Sequence, residues 1–115
     1  MAATGSSMWL QIAGISGAAA VALGAYGAHA FKPENQVYRG VFQTASSYHL
    51  IHSAALLATP LVKRPQLFGA LMTAGIVLFS GSCYTVAFTE DRKYGRGAPF
   101  GGFALIGAWL VAAMP

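Results

Sequence analysis

Two of the three histidines in this chain, His49 and His52, lie three positions apart in a stretch with few charged residues. That spacing places both imidazoles on roughly the same face of a helix. The third histidine, His29, comes near the end of an earlier apolar stretch. An imidazole can bind haem iron or another transition metal, relay a proton, or form hydrogen bonds inside a protein. The first question is therefore which of these tasks the histidines perform among apolar helices.

The interpretation that needs the fewest further groups is a buried hydrogen-bonded cluster that fixes how the helices pack. Polar residues at membrane depth are costly, so they face the interior of a bundle and find partners there. The hydroxyl groups of tyrosine and serine suit the imidazole nitrogens. No Asp or Glu lies within an apolar stretch, so we expect neutral histidines. The residues predicted to form this cluster are His29, Tyr48, His49, His52, Ser53 and Tyr84.

Binding of a redox ligand is the main alternative use of the histidines. A haem iron can be held by two histidines from different helices, and His29 with His49 or His52 would meet that need. The sequence has no cysteine motif for haem attachment, and a single cysteine, Cys83, excludes a multi-cysteine metal site. A quinone or proton-relay site would usually add a carboxylate within the membrane. We therefore expect no metal and no cofactor. A haem-, quinone- or metal-binding redox protein stays open as an alternative, and so does a small channel or transporter.

Patterns typical of catalytic sites are absent from the sequence. There is no glycine-rich phosphate loop, and the three carboxylates, Glu34, Glu90 and Asp91, all lie in polar connections. Ser80 could pair with His49 as a nucleophile, but no acidic residue is available to orient the imidazole. The sequence predicts no catalytic residue, and we expect that the protein is not an enzyme.

The elements that would carry these residues are four apolar stretches, which we expect to be transmembrane helices. Of the 115 residues, 56% are hydrophobic and 9% are charged, whereas soluble domains carry about 25% charged residues. A helix needs about 20 apolar residues to cross a bilayer. Short connections force consecutive helices to run antiparallel, so the expected fold is a single all-α, four-helix antiparallel bundle. The predicted spans are at about 8–31, 38–62, 66–88 and 99–114.

Small residues recur at positions where these helices could approach one another closely. In the first stretch they fall at heptad-like spacing, and small residues on one face let the backbones of membrane helices come into contact. The last stretch has a similar set of glycines. The positions expected at helix–helix contacts are Gly17, Gly24, Gly27, Ala28, Gly101, Gly102 and Gly107.

The net charge of +4 arises from seven Lys and Arg residues, all in or beside the connections. Five of them belong to the first and third connections and two to the second. By the positive-inside rule, the first and third connections face the cytoplasm or the mitochondrial matrix, and both termini lie opposite. Arg92, Lys93 and Arg96 are predicted to contact anionic lipids or an acidic partner, with a plain solvated loop as the alternative. Nucleic acid is not expected, because no basic stripe carries base-stacking aromatic residues.

Taken in order, several of these motifs resemble those of the transmembrane protein 256 family, which is similar to a bacterial family of small, uncharacterised membrane proteins. The family often has threonine where this chain has Ala98. The resemblance implies a four-helix integral membrane protein and brings no settled biochemical activity with it. It also makes an organelle membrane, first the mitochondrial inner membrane, the expected location. The matching stretches are GAYGAH at 24–29, YHLIHSAALL at 48–57, FSGSCY at 79–84, APFGG at 98–102 and GAW at 107–109.

Size and composition together favour a structural or accessory role. A chain of 115 residues is small for an alternating-access transporter, and it lacks carboxylates in its apolar stretches. Faces of small residues are suited to contacts with other membrane helices. We therefore expect a non-catalytic, multi-pass accessory protein in the lipid bilayer, as a subunit of a larger, respiratory-type complex or as a homo-oligomer.

Overall fold

The structure, a computed structural model, describes residues 4–32 and 34–115, so residues 1–3 and 33 of the expected single domain lie outside the described residues. Within these ranges the chain forms helices and no strand, which confirms the expected all-α class. Short 3-10 turns occupy Thr59–Leu61 and Arg92–Gly97. The long helices are α1 (Thr4–Ala30), α2 (Gln36–Leu56), α3 (Pro65–Thr89) and α4 (Ala98–Ala113).

Consecutive helices run antiparallel, with α2 between α1 and α3 and with α4 packed on α3. At the α1/α2 contact Gly17 faces Ser53 and Gly24 faces Ser46, so the residue numbers run in opposite directions. The molecule measures 51 by 24 by 17 Å along its principal axes. A 27-residue helix such as α1 is about 40 Å long, so the helices define the long dimension of this slab.

Among the described residues, three helices are long and apolar enough to cross a membrane, namely Met8–Ala30, Pro65–Thr89 and Arg92–Ala113. The helix α2 does not belong to this set. Its apolar residues are interrupted by polar ones, among them Arg39 and Gln43, which lower its mean hydropathy. The structure thus supports a helical membrane protein with three apolar helices and a more polar one, α2, that packs between α1 and α3.

The helix α2 is shorter than the predicted span, because it ends at Leu56 and not near Val62. The reason is Pro60, which lacks an N–H and whose ring would clash with the carbonyl four residues earlier, that of Leu56. The chain turns there instead. The hydroxyl of Thr59 donates to the Leu56 carbonyl at 2.6 Å, and a 3-10 turn follows.

A π-helical turn, Ile76–Ser80, interrupts α3 between the α-helical parts Pro65–Gly75 and Gly81–Thr89. The sequence analysis did not anticipate this turn. At its end the Ser80 hydroxyl donates to the carbonyl of Ala45 in α2, at 3.0 Å. The side chain is fully buried, so this bond fixes α3 against the middle of α2.

The structure places the predicted small residues at helix contacts of very different tightness. A Cβ atom on Gly101 of α4 would overlap the backbone of Leu78 and Phe79 in the π-helical turn, and one on Gly27 would overlap the Phe42 ring. Only glycine at these two positions therefore lets the neighbouring helices approach this closely. The looser contacts among the expected positions are at Gly17, Gly24, Gly102 and Gly107, where a Cβ would lie 3.1 to 4.0 Å from its neighbour.

Two of the tightest glycine contacts were not among the predicted positions. A Cβ on Gly69 would overlap the Trp9 ring, and one on Gly75 would overlap Leu105. Ala28, in contrast, is exposed although it was expected at a contact. It follows Gly27, the buried position of that helical turn, so its side chain points about 100° away. The residues of the buried apolar core are Trp9, Ala13, Leu56, Phe68, Met72, Ile76, Leu105, Ala108 and Val111.

Candidate functional site: a hydrogen-bonded histidine cluster

His49 lies in the middle of the bundle and joins three helices through its two ring nitrogens. Its Nδ1 atom is 2.9 Å from the hydroxyl of Tyr84 in α3, and its Nε2 atom is 3.1 Å from the Ser16 hydroxyl in α1. The Ser16 hydroxyl is also 2.6 Å from that of Ser53, which donates to the His49 carbonyl at 2.6 Å. His49 and Ser53 are both buried, so the chain of bonds lies inside the protein.

The bond from Ser53 to the His49 carbonyl fixes the direction of the hydrogen bonds between Ser53, Ser16 and Nε2 of His49. A hydroxyl has one proton to donate, and that of Ser53 goes to a carbonyl, which can only accept. Ser16 must then donate to Ser53, so the Nε2–H group of His49 donates to Ser16. In the neutral imidazole expected from the sequence, the Nδ1 atom is then an acceptor and receives the proton of Tyr84. Neutral His49 thus carries its proton on Nε2, and each of its nitrogens has a partner in the protein.

His52 serves a different set of neighbours, although it lies on the same helix face as His49. Its Nδ1 atom donates to the Tyr48 carbonyl one turn earlier, at 2.7 Å. Its ring stacks on Tyr48 with centroids 5.5 Å apart and meets the edge of Trp109 from α4 at 5.8 Å. This bond places the proton on Nδ1, so the two histidines adopt opposite tautomers.

The structure corrects two members of the predicted cluster. His29 is exposed and does not approach His49 or His52. The buried position nearest to it on α1 is Gly27, and two residues further the side chain points about 200° around the helix axis. Tyr48 has 43% of its surface exposed and takes part through its carbonyl and its ring, while its hydroxyl has no role in the cluster.

Ser16 is the cluster residue that the sequence analysis missed. Buried positions of α1 are Trp9, Ala13, Ala20 and Gly27, at steps of four and seven. Ser16 continues this phase and is the polar residue between Ala13 and Ala20. A search for polar residues on the buried face of each apolar stretch would have found it.

A cavity of about 280 Å³ lies between α1 and α3 and reaches His49. Its walls are mostly apolar, with Ile12 and Ile15 on one side and Ile76 on the other. Thr73 also lines the cavity, and its hydroxyl is buried without a hydrogen-bond partner among the described residues. The cavity could hold a small apolar molecule with a single polar group. Within the described ranges, no group of three or more His, Cys, Asp or Glu side chains is placed to hold a metal ion.

The basic residues of the third connection lie apart from the cluster, on the surface. Arg92, Lys93 and Arg96 are all exposed. The structure adds a 3-10 turn, Arg92–Gly97, where a plain loop was expected. Asp91 caps this turn by accepting from the Lys93 backbone N–H at 3.0 Å, and its second oxygen is 3.6 Å from the Lys93 ammonium.

A small, all-helical protein with three apolar helices and a polar cluster turned inward belongs to the class of helical membrane proteins, and its relatives carry such names. The chain belongs to the family described as "Protein of unknown function (DUF423)", whose profile matches residues 23–102. It is 36% identical to the "UPF0382 membrane protein YwdK" of Bacillus subtilis over 112 residues, which cover 90% of this chain and 91% of the relative.

Two further relatives give the same picture. The "UPF0382 inner membrane protein YgdD" of Escherichia coli is 35% identical over 113 residues, 92% of this chain and 86% of the relative. A "UPF0382 membrane protein" of Staphylococcus epidermidis is 36% identical over 98 residues, 80% of each chain. The expected likeness to a bacterial family of small membrane proteins is confirmed, while membership of the transmembrane protein 256 family stays a prediction. No solved structure matches the chain.

Proposed function

We propose that this protein is a non-catalytic, accessory membrane protein with four spans, in which the His49 cluster fixes the arrangement of the helices. The observation that carries the proposal is that both nitrogens of His49 are used by Tyr84 and Ser16. A residue that acts on a substrate needs a free atom in at least one state. In this cluster both ring nitrogens of His49 already have a hydrogen-bond partner. In a low-dielectric interior such a network makes the helices rigid and favours a single packing arrangement.

In this proposal α2 crosses the membrane as well, although its hydropathy is below that of the other helices. It runs antiparallel between α1 and α3, so it occupies the same depth. Its polar side chains Ser53 and His49 are turned inward and hydrogen-bonded, which removes most of the cost of placing them in lipid. By the charge of the connections, the first and third face the cytoplasm or matrix, with both termini opposite.

The partner in this proposal is a larger membrane assembly, of the respiratory type, or a second copy of the chain. The outer surfaces of α1 and α4 carry large apolar side chains, with Ile15 74% and Phe103 71% exposed. Such surfaces suit lipid and neighbouring membrane helices alike. The name of the Escherichia coli relative supports an inner membrane, bacterial or mitochondrial, as the location.

Affinity purification of the tagged full chain in a mild detergent tests this function. We expect stoichiometric co-purification of the subunits of one membrane assembly, or a defined homo-oligomer. His49→Leu should weaken this association because the helices lose their fixed arrangement, whereas the exposed His29→Leu should not. The accessory role would be contradicted by a monomer that co-purifies with no other protein and is active by itself in an assay of redox or transport activity.

The cavity beside His49 favours a second candidate, a protein that binds a haem, a quinone or another small redox ligand. The cavity has a volume of about 280 Å³, and the hydroxyl of Thr73 on its wall lacks a partner in the described part of the chain. An optical spectrum and metal analysis of the purified protein separate the two candidates. A Soret band that disappears in His49→Ala would favour the redox protein and overturn the structural one.

A further inference from the structure

A crevice runs along the outer side of the contact between α1 and α2, away from the His49 cavity. Near the first connection it forms a polar cavity of about 190 Å³, and further along an apolar cavity of about 280 Å³. The residues that line both parts follow one another at helical steps of three and four on each helix, so the two cavities belong to one face. The apolar part is lined by Gly14, Gly17, Ala18, Leu50, Ala54 and Leu57.

The polar part of this α1/α2 crevice holds an unpaired positive charge. Arg39 is half-buried there, beside Gln43, Ser46 and Ser47. No carboxylate in the described part of the chain lies within 4.0 Å of the Arg39 guanidinium. The ion pair that the described residues form joins Lys93 to Asp91 in the third connection. A half-buried cation at the edge of the membrane is costly without a partner. The site therefore offers a guanidinium, an amide and hydroxyls to a ligand that brings negative charge.

We propose that the α1/α2 crevice binds one anionic phospholipid, with its phosphate on Arg39 and an acyl chain in the apolar part. A guanidinium binds phosphate oxygens in a bidentate manner, and Gln43 adds an amide donor beside it. Small side chains such as Gly17 and Ala18 leave a shallow channel in which a hydrocarbon chain can lie. The polar and apolar parts of the crevice follow the order of headgroup and acyl chain in a lipid. The part with Arg39 is near the first connection, and the apolar part lies further into the membrane.

Charge also decides between the possible occupants. No acidic residue lines the crevice, so the cationic group of a zwitterionic headgroup would find no partner there. The apolar stretch of a helix from a second copy would bring no negative charge to Arg39, because no Asp or Glu lies within an apolar stretch. Anionic lipids are abundant in the cytoplasmic leaflet, the side on which the positive-inside rule places the first connection.

The test measures retained lipid by native mass spectrometry, after transfer of the full chain from vesicles of phosphatidylcholine and phosphatidylglycerol. We expect one phosphatidylglycerol per chain, retained in preference to phosphatidylcholine and not released by excess inorganic phosphate. Arg39→Gln should lower this retention about tenfold, which corresponds to about 1.4 kcal/mol. The control Lys32→Gln removes an exposed cation from the first connection, outside the crevice, and should leave retention unchanged.

A second pair of variants tests the acyl chain and does not depend on Arg39. Ala18→Leu fills the apolar part of the crevice from an exposed position, so it should lower retention without disturbing the core. The matched control is Ala22→Leu, exposed one turn along the same helix and outside the crevice. Equal retention of both lipids, or unchanged retention in Arg39→Gln and Ala18→Leu, would overturn the proposal. So would a lipid-free dimer that Ala18→Leu separates.

Discussion

The α1/α2 contact and the α3/α4 contact hold helices together by different means. Between α1 and α2 the central contact is a chain of hydrogen bonds through Ser16, His49 and Ser53. Between α3 and α4 the central contacts are glycines, Gly101 against the π-helical turn and Gly75 against Leu105. Lipid offers helices no hydrophobic driving force for association, so packing and hydrogen bonds must supply it. The protein uses hydrogen bonds at the centre of the α1/α2 contact, which also has a close glycine contact of Gly27 with Phe42 nearer its end, and it uses close packing at the centre of the α3/α4 contact.

This difference predicts how each contact fails. A contact made by shape tolerates no added atom, because closely packed backbones cannot move apart locally. A contact made by hydrogen bonds tolerates small changes of volume but not the loss of a partner, which leaves a buried polar group unsatisfied. Substitutions at the two contacts should therefore lower the free energy of unfolding by different amounts. An added atom should be harmful at the α3/α4 contact, and a lost hydrogen-bond partner at the α1/α2 contact.

The largest effect is expected for Gly101→Ala. The added Cβ would overlap the backbone at Phe79 in the π-helical turn, so we expect a loss of about 3 kcal/mol or more in the free energy of unfolding. Unfolding of the purified protein in mixed micelles with rising SDS measures this loss. Gly102→Ala is the control, because its Cβ would reach only an ordinary contact, 4.0 Å from Phe79. Equal stability of the two variants would contradict the close contact.

His49→Leu should have the next largest effect, because it removes the imidazole that the partly buried Tyr84 and Ser16 hydroxyls share and replaces it with a side chain that cannot hydrogen-bond. The expected loss is about 2–3 kcal/mol in the same unfolding experiment. His29→Leu is the matched control, since His29 is exposed and outside the cluster. If both histidine variants lost the same stability, the α1/α2 contact would not depend on the hydrogen-bond chain.

A smaller loss, about 1 kcal/mol, is expected for Ser53→Ala. The substitution removes the donor to the His49 carbonyl and the acceptor for Ser16, but Ser16 can turn its proton elsewhere. Ser47→Ala, at an exposed position one to two turns earlier on α2, should change the unfolding midpoint little. A Ser53→Ala protein as unstable as His49→Leu would show that Ser53, not His49, is the centre of the network.

How far the sequence predicts these features depends on whether they are local. His49, Ser53 and Tyr84 were predictable, because polar residues in apolar helices must turn inward and meet hydroxyl groups. His29 is also a histidine in an apolar stretch, but the phase of the helix turns its side chain away from the buried face. The close contact of Gly101 with the π-helical turn could not be predicted, because it joins residues far apart in the chain.

The smallest expected effect is a difference in proton position, with no change in stability. The hydrogen bonds place the proton of His49 on Nε2 and that of His52 on Nδ1. Solid-state NMR of the protein in lipid, with nitrogen-15 in the histidines, distinguishes the two tautomers by chemical shift. In a His29→Leu background, which leaves these two histidines alone, we expect one resonance pair of each kind. Tyr84→Phe removes the donor to Nδ1 of His49, so it should shift that nitrogen while His52 stays unchanged. His49 and His52 in the same tautomer would contradict the directed chain from Tyr84 to Ser53, and the α1/α2 contact would then lack the order assigned to it.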